Sequence, residues 1–361
     1  MRMIPPIMKA VVTTGMGGYE HLQYQDVPVP EVLPGTVLLK VLSAGINATD
    51  INTRLGWYDA SVTKGTHAVS TNDSKAITEG GWNKKTFFPL IQGTDCCGLV
   101  VSVGSPEDEV LLARRVLVRP CMRTSGWGSL ETAWLGSDCN GAFAEYVCVS
   151  SGEVFPIDCN WSDVELGTIP CSYGTAENML HRSSVSGNDV VLVRGASGGV
   201  GSAVVQLAKR RGAKVIAVTS CAKQKDVAAL GADRVLTREE AVSGVLTDTS
   251  VDVVVDTVAG PAFGEMLNLL KRGGRLVTSG AIAGAQVSID LRRLYLKDLK
   301  LIGCTAWDEP VFSNLISYIE HGEIRPLLAG VHPLEHIVEA QRAFSRKQHI
   351  GKLVLVPPQV G

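Results

Sequence analysis

The sequence lacks long hydrophobic runs and an excess of charge of one sign, and each absence argues against a class of protein. No apolar run approaches the ~18–20 residues that a membrane-spanning helix needs. The 34 basic and 36 acidic residues give a net charge of -2, which argues against a nucleic-acid binder, because such proteins present a basic surface. The N-terminal stretch MRMIPPIMKAVV has no apolar core before a cleavage site. We therefore expect a cytoplasmic protein that binds neither nucleic acid nor membranes.

Paired cysteine motifs are also absent, although the chain contains nine cysteines. A chain of 361 residues does not need disulfides for stability, and unpaired thiols are typical of the reducing cytosol. The adjacent Cys96 and Cys97 would leave a strand on opposite faces, so they are poorly placed to bind one metal ion. Most of the cysteines are expected to be buried and to act as small apolar side chains.

The length and the rhythm of the sequence predict an α/β protein of two domains. Residues 1–159 contain short apolar runs separated by glycine and proline, which indicates a β-rich domain. Over residues 160–305, near-continuous apolar strands alternate with helices, which predicts a doubly wound parallel sheet covered on both faces. Residues 306–361 predict two helices and a last strand, GKLVLV, that returns to the first domain.

Three segments of this pattern carry specific expectations. The run 199–212 predicts a helix ended by Gly212, and the run 261–273 predicts a helix opened by Pro261 and closed by Gly273. Residues 59–86 are polar and aperiodic, as in loops that are either functional or disordered. They are interpreted either as a lid over a pocket or as a surface insertion.

A glycine-rich turn between a buried strand and a helix carries the clearest chemical signal, in VVLVRGASGGVGSAVVQLAK. Such glycines let the backbone approach a pyrophosphate, and the following helix offers free N–H groups and the positive end of its dipole. The absence of a following Gly-Lys-Ser/Thr excludes a Walker-type phosphate loop. The predicted dinucleotide-binding residues are Ala196, Ser197, Gly198, Gly199, Val200 and Gly201.

The end of the next strand predicts which dinucleotide binds. An enzyme that prefers NAD usually places Asp or Glu there, against the ribose 2′-hydroxyl. This chain has Thr219 and Ser220 instead, followed by Lys223 and Lys225. Since an ammonium group can pair with a 2′-phosphate, the sequence favours NADP(H) as the cofactor. The other interpretation is that both lysines lie on an exposed helix start.

These motifs together resemble the medium-chain dehydrogenase/reductase superfamily, and the resemblance covers nearly the whole chain. It is carried by MKAVV, GINATD, QGTDCCGLV, GAFAEYV, GASGGVG, DVVVDTV and KRGGRLVTSG. Within the superfamily the sequence is similar to the zinc-free quinone oxidoreductase and enoyl reductase branch. The resemblance implies a GroES-like catalytic domain, a Rossmann cofactor domain and a homodimer that pairs through the strand at 299–303.

The zinc alcohol dehydrogenases of the same superfamily are the alternative. Where their catalytic zinc site has Cys, His, Glu and Cys, this chain has Asn47, Thr94, Asp95 and Cys171. One soft ligand does not hold zinc, which needs three protein ligands and an open position. The run of four cysteines that forms their structural zinc lobe is also missing. The sequence therefore predicts no bound metal.

The candidate catalytic residues are Asn47 and Tyr58, in the pattern N-x-x-D-x-x-x-R-x-G-x-Y, which resembles the substrate-side motif of the quinone oxidoreductases. Without a metal, an oxyanion must be stabilised by hydrogen-bond donors, and the Asn47 amide is the nearest candidate. Tyr58 either donates a proton or lines the pocket. Asp50 and Arg54 are expected to form a structural ion pair.

The resemblance also implies further contacts with the cofactor, at Thr175 and at Ser279, Gly280 and Ala281. The predicted function is NADPH-dependent reduction of quinones or α,β-unsaturated carbonyl compounds, with a small-molecule substrate. The alternatives are a zinc-dependent alcohol dehydrogenase and an NADPH-binding sensor with little turnover.

Overall fold

The computed structural model describes residues 4–69, 80–81, 83–242, 245–246 and 248–358. In the segment 59–86, whose role the sequence leaves open, residues 70–79 and 82 lie outside the described residues. Among the residues described, no helix combines the length and apolar character that crossing a bilayer requires.

The strands follow one another along the chain as β1 (Ile7–Thr13), β2 (Leu22–Pro28), β3 (Thr36–Gly45), β4 (Leu90–Ile91), β5 (Cys97–Val103), β6 (Arg115–Val118), β7 (Cys121–Arg123), β8 (Thr132–Trp134), β9 (Tyr146–Ser150), β10 (Val154–Pro156), β11 (Val190–Arg194), β12 (Lys214–Thr219), β13 (Arg234–Thr237), β14 (Val251–Asp256), β15 (Leu270–Thr278), β16 (Lys300–Gly303), β17 (Leu328–Pro333) and β18 (Lys352–Val356). The helices are α1 (Ala48–Leu55), α2 (Asp163–Leu166), α3 (Pro170–Arg182), α4 (Gly199–Arg210), α5 (Gln224–Ala228), α6 (Arg238–Val242), α7 (Met266–Leu269), α8 (Leu291–Leu296), α9 (Pro310–Glu320) and α10 (Ile337–Arg346).

The chain forms two compact units. The first comprises Met1–Val62, Val69–Cys171 and Leu328–Gly361, and the second comprises Thr63–Ala68 and Ser172–Leu327. Apart from the short piece Thr63–Ala68, the divisions fall at 171 and 327, whereas the sequence analysis placed them at 159 and 305.

The first unit is built on a seven-stranded sheet of order β10-β6-β5-β3-β18-β17, with β9 also paired to β3. The strand β18 lies antiparallel to β3, with Val354 opposite Gly45, and parallel to β17. A second sheet has the order β2-β1-β4. Apolar side chains with almost no exposed area fill the core of this unit, among them Val37, Leu39, Val41, Phe143 and Leu355.

The second unit contains a six-stranded sheet of order β13-β12-β11-β14-β15-β16, and all of its strand pairs are parallel. The sheet can be covered on both faces because its central strands are apolar throughout, as the buried Val191, Leu192 and Val193 show. The predicted fold class, a Rossmann sheet with a β-rich GroES-like domain, is confirmed.

One predicted helix is wrong in extent. The helix expected over 261–273 is only α7, because Leu270 pairs with Val251 and already belongs to β15. Phe263, Met266, Leu267 and Leu270 are nevertheless all buried in one cluster. The four apolar side chains therefore reach the same core from a turn, from the single helical turn α7 and from the start of β15.

Candidate active site

The glycine-rich turn joins the end of β11 to the start of α4. Gly195 adopts a φ of 70°, which a residue with a side chain rarely does, and the Gly198 N–H donates to the Gly195 carbonyl oxygen at 3.0 Å. A Cβ at Gly201 would lie 2.2 Å from the same carbonyl oxygen, so only glycine lets α4 pack this closely. The first N–H groups of α4 have no partner within the helix, which fits the pyrophosphate of a dinucleotide.

Thr219 and Ser220 lie where β12 ends, as predicted. Thr219 is buried, and its hydroxyl oxygen has no hydrogen-bond partner among the described residues. Lys223 is half-buried nearby, and its pKa is lowered by burial and by the positive charge of Arg238. Two cations that are close enough to interact therefore follow the carboxyl ends of β12 and β13. Sequence reasoning missed Arg238, because it begins a helix beyond the next strand.

The other predicted cofactor residues lie in the same unit. Ser279, Gly280 and Ala281 follow the carboxyl end of β15 and are half-buried. The Ser279 hydroxyl lies 3.1 Å from the Met179 sulfur of α3. Thr175 is one helical turn before Met179, so it lies on the same side of α3.

In the first unit, Asn47 precedes α1 and is almost fully buried. Its backbone N–H donates to the Asp50 carboxylate at 2.7 Å. Its side-chain N–H groups donate to Asp95 Oδ2 at 2.8 Å and to the Gly45 carbonyl oxygen at 3.3 Å. Its amide oxygen accepts a hydrogen bond from the Lys352 ammonium. Both the amide nitrogen and the amide oxygen of Asn47, the predicted oxyanion donor, therefore form hydrogen bonds within the protein.

Sequence reasoning also missed Lys352. Its ammonium lies 2.8 Å from Asp95 Oδ2, and the two side chains are 3% and 0% exposed, so this ion pair is shielded from water. The only signal was a lysine at the start of an otherwise apolar strand, GKLVLV. A lysine that is buried requires a charged or polar partner, but the sequence does not reveal which one.

The four positions that correspond to zinc ligands come together around this pair. Thr94 donates to Asp50 Oδ1 at 3.3 Å, and the Cys171 backbone N–H donates to Asp95 Oδ1 at 2.6 Å. Burial raises the pKa of the Cys171 thiol well above its usual range, so it is not a ready thiolate ligand. In the part of the chain that the structure describes, no group of three His, Cys, Asp or Glu side chains could hold a metal ion. The residues present do not fit a catalytic zinc.

The expected ion pair between Asp50 and Arg54 is not formed, which corrects that expectation. Arg54 instead donates to the Gln341 side chain at 3.1 and 3.3 Å and to the Gly17 carbonyl oxygen. Asp50 faces the opposite way, toward Asn47. Burial raises its pKa to about 7, although the Asn47 N–H and the Lys352 ammonium oppose the shift.

Tyr58 lies just after α1. Its hydroxyl group lies 3.3 Å from the Thr49 hydroxyl and 3.5 Å from the Asn52 amide nitrogen. Burial raises the pKa of Tyr58 to about 12, so the phenol carries its proton at neutral pH. Its role as a proton donor stays a prediction.

Two family models match the chain. Residues 33–159 match the alcohol dehydrogenase GroES-like domain, and residues 199–321 match the zinc-binding dehydrogenase domain. The acryloyl-coenzyme A reductase of Metallosphaera sedula is 29% identical to the chain over 96% of it and 99% of the relative. The quinone oxidoreductase of Homo sapiens is 24% identical, over 97% of the chain and 98% of the relative.

Solved structures are also similar to this chain over nearly its whole length. A chain from Sinorhizobium meliloti 1021, which carries the provisional name alcohol dehydrogenase, is 40% identical, covers 98% of each chain and has a TM-score of 0.86. A cobalt- and zinc-bound thermostable alcohol dehydrogenase from Pyrobaculum aerophilum is 29% identical over 97% of this chain and 100% of its own, with a TM-score of 0.82. The protein is an oxidoreductase of the dinucleotide-binding α/β type. It belongs to the medium-chain dehydrogenase/reductase superfamily, as the sequence predicts.

Proposed function

We propose that this protein is an NADPH-dependent reductase of α,β-unsaturated carbonyl compounds or quinones that works without a catalytic metal. The observation that carries the proposal is the Lys352 ammonium, which lies against Asp95 where the zinc branch has its metal-site glutamate. Asn47 and Thr94 stand at two ligand positions and offer neutral amide and hydroxyl groups. This set provides fixed hydrogen bonds and one buried positive charge instead of a Lewis acid.

The preference for NADPH is supported by the two cations that follow β12 and β13, Lys223 and Arg238. Burial and the positive charge of Arg238 lower the pKa of Lys223, and a doubly charged 2′-phosphate would relieve the repulsion between the two cations. The pyrophosphate would be held by the N–H groups at the start of α4. When bound, the nicotinamide supplies a hydride.

The residues of the first unit would serve the acceptor. Addition of a hydride to the β-carbon of a conjugated carbonyl moves the π electrons onto oxygen and leaves an enolate. A hydrogen-bond donor stabilises this charge, and the Asn47 amide is our candidate. One proton then completes the reduction, from the Tyr58 phenol or from water. The relative from Metallosphaera sedula, which is named an acryloyl-coenzyme A reductase, supports an unsaturated carbonyl as the acceptor.

A zinc-dependent alcohol dehydrogenase is the second candidate. It is favoured by the description of one matching family model and by the metal-bound structure from Pyrobaculum aerophilum. An NADPH-binding sensor is a third possibility, because the coenzyme turn alone does not require turnover.

The deciding experiment compares the oxidation of NADPH and NADH with a quinone and an enone, with and without a chelator, on protein assayed for metal. The proposal expects NADPH-selective turnover by metal-free protein. Chelator-sensitive activity with stoichiometric zinc would establish the alcohol dehydrogenase instead. Tight binding of NADPH without oxidation across the acceptor panel would favour the sensor.

We further propose that the protein is cytoplasmic and acts as a homodimer. All nine cysteines are free thiols, which suits a reducing compartment. The strand β16 lies at the edge of the six-stranded sheet, and Leu301 on it is 41% exposed. An edge with unpaired backbone groups and an exposed leucine is suited to pairing with a second copy.

A further inference from the structure

Lys352 is buried at a place where a lysine is costly. Removing an ammonium from water costs several kcal/mol unless its charge and hydrogen bonds are compensated. Here the compensation comes from Asp95, whose carboxylate has no exposed area, and from the Asn47 amide oxygen. The arrangement is local to the first unit, because β18 lies directly beside the end of β3.

The contacts fix which way the Asn47 amide faces. The ammonium can only donate, so it requires the amide oxygen, and the Asp95 carboxylate can only accept, so it requires the amide nitrogen. A flipped amide would direct its oxygen at the carboxylate and its N–H groups at the ammonium. Lys352 and Asp95 therefore allow one orientation of Asn47.

One N–H of Asn47 is held much less firmly than the other. Its contact with the Gly45 carbonyl oxygen is 3.3 Å long, whereas the contact with Asp95 is 2.8 Å. The longer bond is the one that an incoming oxyanion can replace at low cost. A cation on the amide oxygen also draws electron density from the nitrogen, which strengthens its N–H groups as donors.

The backbone has room for this cluster only because residue 45 is glycine. A Cβ at Gly45 would lie 2.5 Å from Asp95 Oδ2 and 3.0 Å from Lys352 Cε. The close approach of β3 to the ion pair is thus part of the same arrangement.

We propose that Lys352 is a positioning residue, which orients and polarises the Asn47 amide as the donor to the oxyanion formed during reduction. This inference rests on the proposed function. The simpler interpretation is that Lys352 only neutralises Asp95 and stabilises the fold. The two interpretations predict different values of kcat for a variant in which the charges of Lys352 and Asp95 are both removed.

The test measures kcat and KM for the acceptor, the Kd for NADPH and the melting temperature. The variants are Lys352→Met, Lys352→Arg, Asn47→Ala, Lys352→Met with Asp95→Asn, and Lys352→Met with Asn47→Ala. Lys9→Met is the matched control, because Lys9 forms an exposed ion pair with Asp26 in the same unit. NADPH binding checks the folding of the second unit, which holds the coenzyme turn, and the melting temperature checks the stability of the whole chain.

The proposal expects Lys352→Met to lower kcat by ~10- to 100-fold, with little change in KM. This loss is smaller than the ~100- to 1000-fold loss caused by removing an oxyanion donor, because Asn47 is still present but is no longer held in place. Lys352→Arg should retain most of kcat. Removing the charge of Asp95 as well, in the variant Lys352→Met with Asp95→Asn, should restore the melting temperature but not kcat. In the Asn47→Ala background, Lys352→Met should have little further effect, because the lysine acts through that amide.

Recovery of kcat together with stability in the double charge variant would overturn the proposal and leave a structural ion pair. Additive losses with Asn47→Ala would also overturn it. Wild-type protein that binds NADPH but reduces no acceptor would instead overturn the proposed function, and this inference with it.

Discussion

At the scale of single residues, the titration of Asp50 makes the stability of the protein depend on pH. Its pKa is raised to about 7 by burial, above the ordinary value of ~3.9 that it regains on unfolding. The unfolded chain therefore loses this proton first as the pH rises. The stability that the protonated carboxyl contributes is complete below about pH 4 and is lost as the pH rises through about 7.

The Asp50→Asn variant isolates this effect, because an amide oxygen can still accept the Asn47 N–H. We expect the free energy of unfolding of the wild type, measured relative to the variant by chemical denaturation, to fall between pH 4 and pH 7. The scale is ~1.4 kcal/mol per unit of pKa difference. A wild-type-to-variant difference that is constant over this range would contradict the prediction.

Lys223 and Arg238 provide a residue-scale prediction of coenzyme choice. Replacing either one by alanine should raise the KM for NADPH by roughly 10-fold and leave that for NADH unchanged, because only NADPH carries the 2′-phosphate. Steady-state kinetics with both coenzymes measures this. Lys209→Ala is the control, since Lys209 is occupied by Asp233 at 2.9 Å. Equal effects on both coenzymes would point to a structural role for the two cations.

At the scale of elements, two glycines of the same turn should behave differently. A Cβ at Gly201 would overlap the Gly195 carbonyl oxygen, whereas a Cβ at Gly198 would only touch it, at 3.5 Å. Gly201→Ala should therefore lower the melting temperature and weaken NADPH binding. Gly198→Ala should keep the melting temperature but still weaken binding, because its Cβ intrudes where the pyrophosphate approaches. Thermal unfolding and NADPH titration separate the two, and equal melting temperatures would refute the packing argument.

The elements also show how far sequence reasoning reaches. The coenzyme turn was predictable because its strand, glycines and helix are contiguous and each constrains the next. The helix expected over 261–273 was wrong because the apolar spacing of Phe263, Met266 and Leu270 suits both a helix and a turn before a strand. The strand β17 was missed because its partner β18 lies beyond an intervening helix.

The candidate site was predictable only in part, for the same reason. Asn47 and Tyr58 belong to one local motif, but Lys352 reaches Asn47 from 305 residues away. Nothing near GKLVLV distinguishes a buried lysine from one at an exposed strand end. The predicted ion pair between Asp50 and Arg54 was wrong because a four-residue spacing allows such a pair but does not require it. The spacing does not reveal that Arg54 binds the distant Gln341 side chain instead.

At the scale of the whole molecule, the edge strand β16 determines the expected assembly. Leu301→Arg places a charge on the edge that we expect to pair with a second copy, so the variant should shift from dimer to monomer in size-exclusion chromatography with light scattering. Leu130→Arg is the control, because Leu130 is 67% exposed and lies in the other unit. A wild-type monomer, or a dimer that tolerates Leu301→Arg, would exclude this interface.

The return of the chain to its first unit has a consequence for biosynthesis. Asp95 leaves the ribosome long before Lys352, since Ser172–Leu327, the main part of the second unit, is translated between them. Until then the nascent first unit holds a carboxylate without its cation and a sheet without β18. The second unit is therefore complete while the chain is still being made, whereas the proposed acceptor site is completed only after synthesis has passed residue 352.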